Sequence, residues 1–367
     1  ALRVESDSAF LESYFMRGQA DYSSLAGAFP GARPGEAVLL VPGVMANHPA
    51  GATRVNVAAS GPENARVQMT VYDREGVLAG SLEVEIPAGA SRSMDLAAAL
   101  AKTGQSLEEG HLRLLSDQSV TVESSTAWPG VAIQNPILDS DNLSGELWAP
   151  HFATGAGAWE TSLHLVNLSA EPEEVQVHLL DEAGHTYASP LKANPAVQQL
   201  APGQTWSAAV STLFGLTGPG LHSGYLHIQG GAGALLCGYI EFGDPDGLSR
   251  YRAALPLLTG GTRAMLFPHV ALGLGYYTGI SLLNPAETES QVRLDLFNKQ
   301  GGLTGTVEFA LAPGQKYARL LDELWPSAGG QVGGYLAVTA SQPILGYQLF
   351  GREDFELVSA IPAHPLD

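Results

Sequence analysis

The sequence predicts an all-β protein: three tandem antiparallel β-sandwich units of Ig-like type, preceded by a β-hairpin from an incomplete unit. Three observations indicate this. An alternating segment recurs as residues 67–76, 175–184 and 292–301. The 367 residues include 43 Gly and 23 Pro, with only 15% charged residues, which suits short strands joined by many turns. No long amphipathic helical pattern is present.

The recurring segment fixes the size of the unit. VQMTVYDREG, VQVHLLDEAG and VRLDLFNKQG align without a gap, so Asp73, Asp181 and Asn298 hold the same place. Their spacings, 181 − 73 = 108 and 298 − 181 = 117, match one small β-sandwich and exceed the period of a solenoid repeat. The period-two alternation places every second side chain in a core.

The flanking segments recur in the same order. A strand pattern precedes each copy at residues 53–60, 161–169 and 278–286. A proline-containing turn follows, and then a leucine-spaced segment, MDLAAAL, VSTLFGL or LLDELWP, which predicts one or two helical turns. Each copy closes with a predicted hairpin, at residues 110–128, 224–242 and 334–350. The predicted domains are therefore residues 37–140, 141–260 and 261–367.

Short linkers, ILDSDNLSGE and TGGT, predict that neighbouring units touch. Residues 1–36 are predicted as an orphan hairpin followed by a Gly/Pro/Ser-rich connector at 19–36. The hairpin matches the closing segment of the third unit, because Leu2 and Val4 fall on Leu336 and Val338 at an offset of 336 − 2 = 334. The chain thus reads as starting inside a unit.

An isolated hairpin is marginally stable, so this one must pack against something. It is a remnant of an upstream unit, or it folds back onto the first complete unit, or it adds to a neighbouring chain and gives head-to-tail assembly. The apolar residues expected at that contact are Leu2, Val4, Phe10, Leu11, Tyr14 and Phe15.

Charge and hydropathy limit the partners. Lys and Arg number 18 against 37 Asp and Glu, a net charge of −19, which argues against binding nucleic acid or an anionic membrane. No apolar run approaches the roughly 18 residues that a transmembrane helix needs. The chain opens at Ala1 without Met and is built of tandem sandwiches, so we expect an exported extracellular or cell-surface protein whose signal peptide is already absent, or else a cropped sequence.

The single cysteine and two histidines have structural interpretations. Cys237 lies in the apolar segment ALLCGYI, which predicts a buried small hydrophobe. His151 and His269 occupy equivalent positions in APHFATG and FPHVALG, and Gly43 stands there in the first unit. Recurrence favours a structural hydrogen-bonding role, since a zinc site would need further ligands at matching spacing.

Two ligand sites are weaker hypotheses. Trp159, Tyr276 and Tyr277 share the loop before the second strand, where aromatic rings either stack on a glycan or close the end of the sandwich. The acidic turns at Asp139 and Asp141 and at Asp244 and Asp246 have the oxygen-rich spacing that calcium accepts, although neither fits a full calcium loop. Ordinary turn chemistry explains them equally well. No cofactor other than calcium is predicted.

FPHVALGLGYYTGISLLNPA, LFNKQG, LAPGQ and GYLAVTASQPILGYQLFG together resemble the tandem β-sandwich modules of uncharacterised exported or surface bacterial proteins. The resemblance covers nearly the whole chain, although the first unit departs from it at Gly43 and Ala59. It implies a fold and a compartment but carries no catalytic residue.

Three functions remain open. No nucleophile elbow or phosphate loop occurs, so a non-enzymatic structural or adhesive repeat protein with a protein partner or self-association comes first. The alternative is a glycan-binding or accessory module of a carbohydrate-active system. The third is a hydrolase whose residues meet between units.

Overall fold

The computed structural model describes residues 38–101, 103–188, 190–244, 251–326, 330–354 and 357–366, together with the backbone of residues 14–18 and 25–30. Every strand pairing in it is antiparallel, and strands far outnumber helices, so the predicted all-β class is confirmed. The strands form three consecutive pairs of sheets. We call these unit 1, unit 2 and unit 3; the boundaries at 140 and 260 remain predictions of independent domains.

An antiparallel pair precedes the units: β1 (Tyr14–Gly18) and β2 (Leu25–Pro30). Unit 1 contains β3 (Val38–Pro42), β4 (Ala52–Ala59), β5 (Ala65–Asp73), β6 (Leu78–Ile86), β7 (Ser91–Asp95), β8 (Gly110–Ser116), β9 (Val120–Trp128) and β10 (Val131–Asn135). Its sheets have the orders β3-β8-β5-β6 and β10-β9-β4-β7.

Unit 2 contains β11 (Glu146–Gly155), β12 (Glu160–Asn167), β13 (Glu173–Leu180), β14 (Ala196–Leu200), β15 (Thr205–Ala209), β16 (Leu221–Gln229), β17 (Leu236–Gly243) and β18 (Arg252–Pro256). Its sheets have the orders β11-β16-β13-β14 and β15-β12-β17-β18.

Unit 3 contains β19 (Thr262–Phe267), β20 (Ala271–Leu272), β21 (Tyr276–Leu283), β22 (Ser290–Phe297), β23 (Leu303–Leu311), β24 (Lys316–Leu320), β25 (Gln331–Val332), β26 (Tyr335–Arg352), β27 (Val358–Pro362) and β28 (His364–Pro365). The first half of β26 pairs with β19 and β22, and its second half pairs with β21 and β27.

The three units share one topology. We letter the strands of each unit A to H in chain order, leaving out the two-residue strands β20, β25 and β28 and counting the two halves of β26 as F and G. One sheet of each unit then runs A-F-C-D and the other runs H-G-B-E. Strand A is β3, β11 or β19, and strand H is β10, β18 or β27. The H strands touch in sequence, because β10 contacts β18 and β18 contacts β27.

Alternation builds the cores as predicted. In β5 the side chains of Val67, Met69 and Val71 are buried while those between them face outward. Strand C of the other units repeats this pattern in β13 and β22. Fully burying such a side chain contributes about 1.5 to 3 kcal/mol, so each strand is fixed to its sandwich by one face.

Side chains at aligned positions make the same hydrogen bonds. Asp73, Asp181 and Asn298 each accept two backbone N–H groups of the following turn. Asn167 and Asn284 each hold a loop through the side-chain amide, which donates to three carbonyls. These contacts explain why polar residues recur at those places in the sequence.

The predicted helical turns are confirmed. A 3-10 turn, Leu96–Ala98, stands in unit 1, and short α-helices stand in the others as α1 (Val210–Phe214) and α2 (Leu321–Leu324). Each follows strand E directly. A further 3-10 turn, Ser140–Asn142, lies between units 1 and 2.

The predicted closing hairpins are wrong. β8 pairs with β3 and β5, whereas β9 pairs with β4 and β10, so strands F and G belong to different sheets. In unit 3 they are one continuous strand of 18 residues that passes from sheet to sheet. Alternation identifies a strand but not its sheet, and a connection as short as residues 117–119 reads equally well as a turn.

The N-terminal prediction needs a correction as well. The paired strands are β1 and β2, so the predicted connector at 19–36 contains a strand. Its Gly and Pro content concealed that strand. Leu2, Val4, Phe10 and Leu11 lie outside the described residues, as do the side chains of Tyr14 and Phe15. In the described part of the chain β2 bonds only to β1, but its backbone contacts β10 and β27.

Candidate functional site at the unit interfaces

Consecutive units dock through one backbone contact that is used twice. The N–H of Thr205 donates to the carbonyl of Arg74 at 2.9 Å, and the N–H of Lys316 donates to the carbonyl of Glu182 at 2.9 Å. Arg74 and Glu182 lie in the turn between strands C and D, and Thr205 and Lys316 open strand E of the next unit. We call these contacts interface 1–2 and interface 2–3.

Glycines allow this close approach. A β-carbon on Gly76 would lie 2.6 Å from the carbonyl carbon of Gly203, and one on Gly184 would lie 2.6 Å from the carbonyl oxygen of Gly314. Gly76 and Gly184 also have φ of 79° and 85°, a left-handed conformation that favours glycine. Backbone meets backbone here, so a larger residue would push the units apart.

Glu109 gathers the polar side chains of interface 1–2. Its carboxylate accepts from His164 Nδ1 at 3.0 Å and from Ser207 Oγ at 2.9 Å, and Arg74 Nε lies at 3.8 Å. Burial alone would raise the pKa of Glu109, but the hydrogen bonds and charges of His164, Ser207 and Arg74 bring that pKa below its usual value. The His164 ring stacks on Tyr239 at a centroid distance of 4.3 Å.

His111 lies at the same interface and is held neutral. Its Nδ1 is 3.3 Å from Thr205 Oγ1, and its ring stacks on Tyr72 at 4.9 Å. Burial lowers the pKa of His111 to about 4, with a further contribution from Arg113. A charged His111 would be poorly solvated in this contact.

Lys316 is the buried cation of interface 2–3. Its Nζ donates to Ser223 Oγ at 2.8 Å and lies 3.5 Å from Glu182 Oε1, and its side chain is 0% exposed. Burial lowers the pKa of Lys316 to about 8 against the opposing attraction of Glu182. The ammonium of unit 3 is therefore held by two partners of unit 2.

Two hydroxyl groups complete interface 2–3. Tyr225 donates to the carbonyl of Gly314 at 2.9 Å, and burial raises the pKa of Tyr225 to about 12. Ser281 Oγ donates to the carbonyl of Pro150 at 2.8 Å. Tyr225 pairs with Leu180 in strand F of unit 2 as His111 pairs with Tyr72 in unit 1, so equivalent positions again face the next unit.

Apolar side chains run beside these polar sets. Leu40 and Leu138 pack with Val166 and Cys237 between units 1 and 2. Tyr225, Leu283 and Leu345 form the corresponding contact between units 2 and 3. Cys237 is fully buried, as predicted, and burial raises the pKa of its thiol.

Of the predicted aromatic residues, Trp159 contacts Tyr251. Trp159 is half-buried and packs edge-on against Tyr251 at 5.4 Å and Phe242 at 6.4 Å. Burial raises the pKa of Tyr277, with a smaller effect of Tyr251, and Tyr276 is half-buried at the start of β21. The Trp159 ring meets both neighbours edge to face, and the glycan site stays a prediction.

The predicted acidic sites have turn roles where they are described. Asp139 caps the turn Ser140–Asn142 by accepting from Asp141 N at 2.9 Å, and the N–H of Asp139 donates to Asn142 Oδ1 at 2.9 Å. Asp244 is buried at 9% exposure, and Asp246 lies outside the described residues. Across the described ranges, no three His, Cys, Asp or Glu side chains gather as a metal site.

His151 and His269 lie against equivalent phenylalanines. The His151 ring is 5.7 Å from Phe242, and the His269 ring is 4.6 Å from Phe350. Burial lowers the pKa of His269 to about 4 and holds that of His151 well below its usual value. His269 is 4% exposed, whereas His151 is half-buried.

Gly43 replaces those histidines for a steric reason that the sequence hides. A β-carbon on Gly43 would lie 2.1 Å from the Tyr239 hydroxyl of unit 2. The φ of Gly43 is 70°, which independently favours glycine. Unit 1 therefore lacks the side chain because its neighbour occupies the space.

The interface side chains were missed because they are far apart in the chain. Glu109 and Ser207 are 98 residues apart, and Ser223 and Lys316 are 93 apart. One signal was available: Thr205 and Lys316 both follow the triplet Pro-Gly-Gln, which indicates equivalent places with different chemistry.

The chemistry of these sets is that of contacts. Ser207 and His164 both bind Glu109, so the carboxylate separates the hydroxyl from the imidazole, and the two do not form a nucleophile–base pair. Lys316 beside Ser223 has the composition of a base and a hydroxyl, yet its Nζ is enclosed between two units. In the described part of the chain no helix is long and apolar enough to cross a membrane.

No known protein family matches the sequence, and no curated protein matches it. Among solved structures, a protein of Thermotoga maritima designated 1070 is similar to 29% of this chain over 95% of its own length, with 12% identity and a TM-score of 0.26. The dimeric latent PorU from Porphyromonas gingivalis is similar to 86% of this chain over 29% of its own, with 8% identity and a TM-score of 0.20. A β-glucuronidase of glycoside hydrolase family 2 is similar to 59% of this chain over 23% of its own, with 10% identity and a TM-score of 0.14. These scores assign neither a family nor an activity.

Proposed function

We propose that this protein is a non-enzymatic structural repeat protein of the cell surface or extracellular space, whose sandwich units dock side by side into a stiff array. The observation that carries the proposal is the reuse of one docking contact, from Arg74 to Thr205 and from Glu182 to Lys316. Because the contact recurs at the same backbone positions with different side chains, it supports a role in joining units over a role in catalysis at one site.

Burial of charge supports this proposal. Glu109 of unit 1 is 14% exposed and Lys316 of unit 3 is 0% exposed, and each binds side chains of unit 2 across its interface. A buried charge that loses its partner costs about 3 to 5 kcal/mol. Bending at either interface would separate the buried charge from its partners, so the array resists bending.

The surface supports a role in assembly rather than catalysis. The net charge of −19 keeps the chain soluble and away from anionic partners. The Ser, His, Glu and Lys side chains gathered at the interfaces are used in holding units together. Partners are therefore proteins or further units of the same kind.

Calorimetry of the 1–367 chain tests the stiff array. We expect one cooperative transition, because each unit is stabilised by its neighbour. Glu109→Ala should separate unit 1 from the remainder and split the transition, whereas Glu63→Ala, an exposed residue of unit 1, should not. Independent unfolding of the units in the unaltered chain would contradict the proposal.

An activity panel tests the non-enzymatic part. Esterase, protease and glycosidase substrates, each with and without divalent metals, should show no turnover. Turnover that Ser223→Ala or Glu109→Ala abolishes would place catalysis at an interface and overturn the proposal.

A further inference from the structure

The docking contact has two unused counterparts in the array. Gly301 in the C–D turn of unit 3 corresponds to Gly76 and Gly184, and its φ of 77° matches theirs. A β-carbon on Gly301 would have no neighbour within 4 Å, whereas one on Gly76 or Gly184 would meet the backbone of the next unit. The outgoing face of unit 3 is therefore open among the described residues.

Unit 1 has the matching incoming face. Gly89 takes the place of Gly203 and Gly314, since the N–H groups of the three donate to the carbonyls of the aligned residues Ala59, Asn167 and Asn284. A β-carbon on Gly89 also meets nothing within 4 Å. Ser91, which opens strand E, is exposed, whereas Thr205 and Lys316 at the same place are 1% and 3% exposed.

One aligned position of strand F shows the same contrast. His111 and Tyr225 are 1% and 3% exposed because the next unit covers them. Tyr335, their counterpart in unit 3, is only half-buried and stacks on Phe297 at 4.6 Å. Among the described residues, Tyr335 is therefore less covered than His111 and Tyr225.

The pair β1 and β2 lies between these two faces. The offset of 334 places Tyr14–Gly18 on residues 348–352 of β26, and Leu25–Pro30 on residues 359–364, which overlap β27. β1 and β2 thus correspond to strands G and H. The backbone of β2 contacts both β27 and β10, as β18 contacts β27 and β10. The four H strands, which are β2, β10, β18 and β27, therefore contact one another in a closed ring.

We infer that the array contains a fourth position, bounded by residues 298–301 and Tyr335 of unit 3 and by residues 88–93 of unit 1, which receives a fourth sandwich unit with β1 and β2 as its strands G and H. The occupant is a unit of the array's own topology, with a glycine-containing C–D turn directed at Gly89 and a glycine turn before strand E directed at Gly301. Its addition closes a ring of four. The inference rests on the proposed function, because it extends the same docking contact.

The test supplies the missing strands within one chain. Residues 146–224, which hold strands A to E and α1 of unit 2, are fused ahead of Ala1, because Ala1 falls on Tyr335 at the offset of 334. Ser91→Cys and Lys299→Cys report on the two faces through their rate of maleimide labelling, since native Cys237 is buried. We expect both to be labelled about tenfold more slowly, or slower still, in the fused chain than in the 1–367 chain.

Three controls accompany this test. Leu191→Cys, at a side chain 76% exposed in unit 2, should be labelled equally in both chains. The same segment fused after Asp367 should protect neither face. Thr205→Cys should be protected in every chain, and labelling there would show that the lateral docking of the proposed function fails, apart from the fourth position.

Unchanged labelling of Ser91→Cys and Lys299→Cys, with Thr205→Cys protected, overturns the inference while leaving the proposed function intact. A fused segment that stays unfolded or is digested away also overturns it, because the fourth position would supply all its missing contacts. Protection that appears in the 1–367 chain as its concentration rises, together with a dimer in light scattering, identifies a second copy as the occupant and contradicts the single-chain ring.

Discussion

Interfaces 1–2 and 2–3 share their backbone contacts and reverse their charges. At interface 1–2 the turn residue Arg74 lies 3.8 Å from the buried Glu109 of its own unit. At interface 2–3 the turn residue Glu182 lies 3.5 Å from the buried Lys316 of the next unit. Both turn residues are 51% exposed, while the partners are 14% and 0% exposed. The comparison indicates that backbone geometry defines the docking. The buried charged side chain can be acidic or basic if its oppositely charged partner remains exposed to water.

The largest expected effect comes from a side chain of unit 3 that packs in the core of unit 2. Tyr347 is 1% exposed, packs with the core of unit 2 and donates to the carbonyl of Pro256. Tyr347→Ala should lower the free energy of unfolding by about 3 to 5 kcal/mol, as for other buried aromatic residues. Denaturant unfolding followed by circular dichroism measures the loss.

Glu123 is the matched control, since it has the same place in strand G of unit 1 but is half-buried. Glu123→Ala should cost about 1 kcal/mol. Equal losses for the two variants would mean that the position matters for its own unit and not for docking.

Alkaline pH should strengthen interface 2–3. The pKa of Lys316 is about 8 in the folded chain against 10.5 for an ordinary lysine, so between about pH 8 and 10.5 the unfolded state binds more protons and stability rises with pH. A difference of 10.5 − 8 = 2.5 pKa units corresponds to at most about 3 kcal/mol. Unfolding free energies of the parent chain and of Lys316→Met across this range should diverge by that amount.

Lys299→Met, at an exposed lysine of unit 3, should follow the parent curve. If Lys316→Met also follows it, burial does not lower the pKa of Lys316 in the folded chain.

Acid should weaken interface 1–2 instead. The pKa of His111 is about 4 against 6.5 for an ordinary histidine, so stability falls as the pH drops from about 6.5 to 4, with an upper limit of about 3 kcal/mol. Glu109 adds to this below its usual pKa, because its lowered pKa makes the folded state favour the carboxylate. Exchange of the amide of Thr205 followed by NMR should accelerate over this range.

His111→Tyr, which installs the residue found at the same place in unit 2, should remove the histidine part of the acid effect and leave that of Glu109. An unchanged acid profile would assign the sensitivity to groups away from the interface.

The smallest effect compares an occupied with an open glycine. Gly184 and Gly301 have φ of 85° and 77°, so alanine costs about 1 to 2 kcal/mol at either from the backbone alone. At Gly184 the added carbon also meets Gly314, which should raise the loss by about a further 1 to 3 kcal/mol. Thermal denaturation of Gly184→Ala and Gly301→Ala measures the difference, and equal losses would show that the turn of unit 2 is not in contact.

Much of the fold follows from local chemistry. Alternation in residues 67–73 predicts strand C, the glycine three residues after Asp73 predicts its turn, and the leucines of VSTLFGL predict α1. These signals act within a few residues, so one sequence carries them. The crossing from strand F to strand G was not predictable in this way, because the same alternation serves a hairpin and a strand that changes sheets.

The interfaces depend on positions that the chain brings together from afar. The residues near Glu109 in the sequence do not predict its contacts with His164 and Ser207. Likewise, the sequence predicts Gly43 only as a loop glycine, and its contact with Tyr239 is evident only in the structure. Comparison between repeats would have helped, since a lysine after Pro-Gly-Gln stands where another repeat has threonine. The aromatic and acidic residues singled out from composition alone remain predictions of ligand sites.

Strand β26 has a mechanical consequence. In units 1 and 2 the path from one sheet to the other passes through the loops at 117–119 and 230–235, which can lengthen before any ladder breaks. In unit 3 the same path is a single extended strand bonded to neighbours in both sheets. Tension applied along the chain therefore acts directly on the hydrogen bonds of both sheets of unit 3. We expect unit 3 to transmit force at short extensions, at which the loops of units 1 and 2 still lengthen.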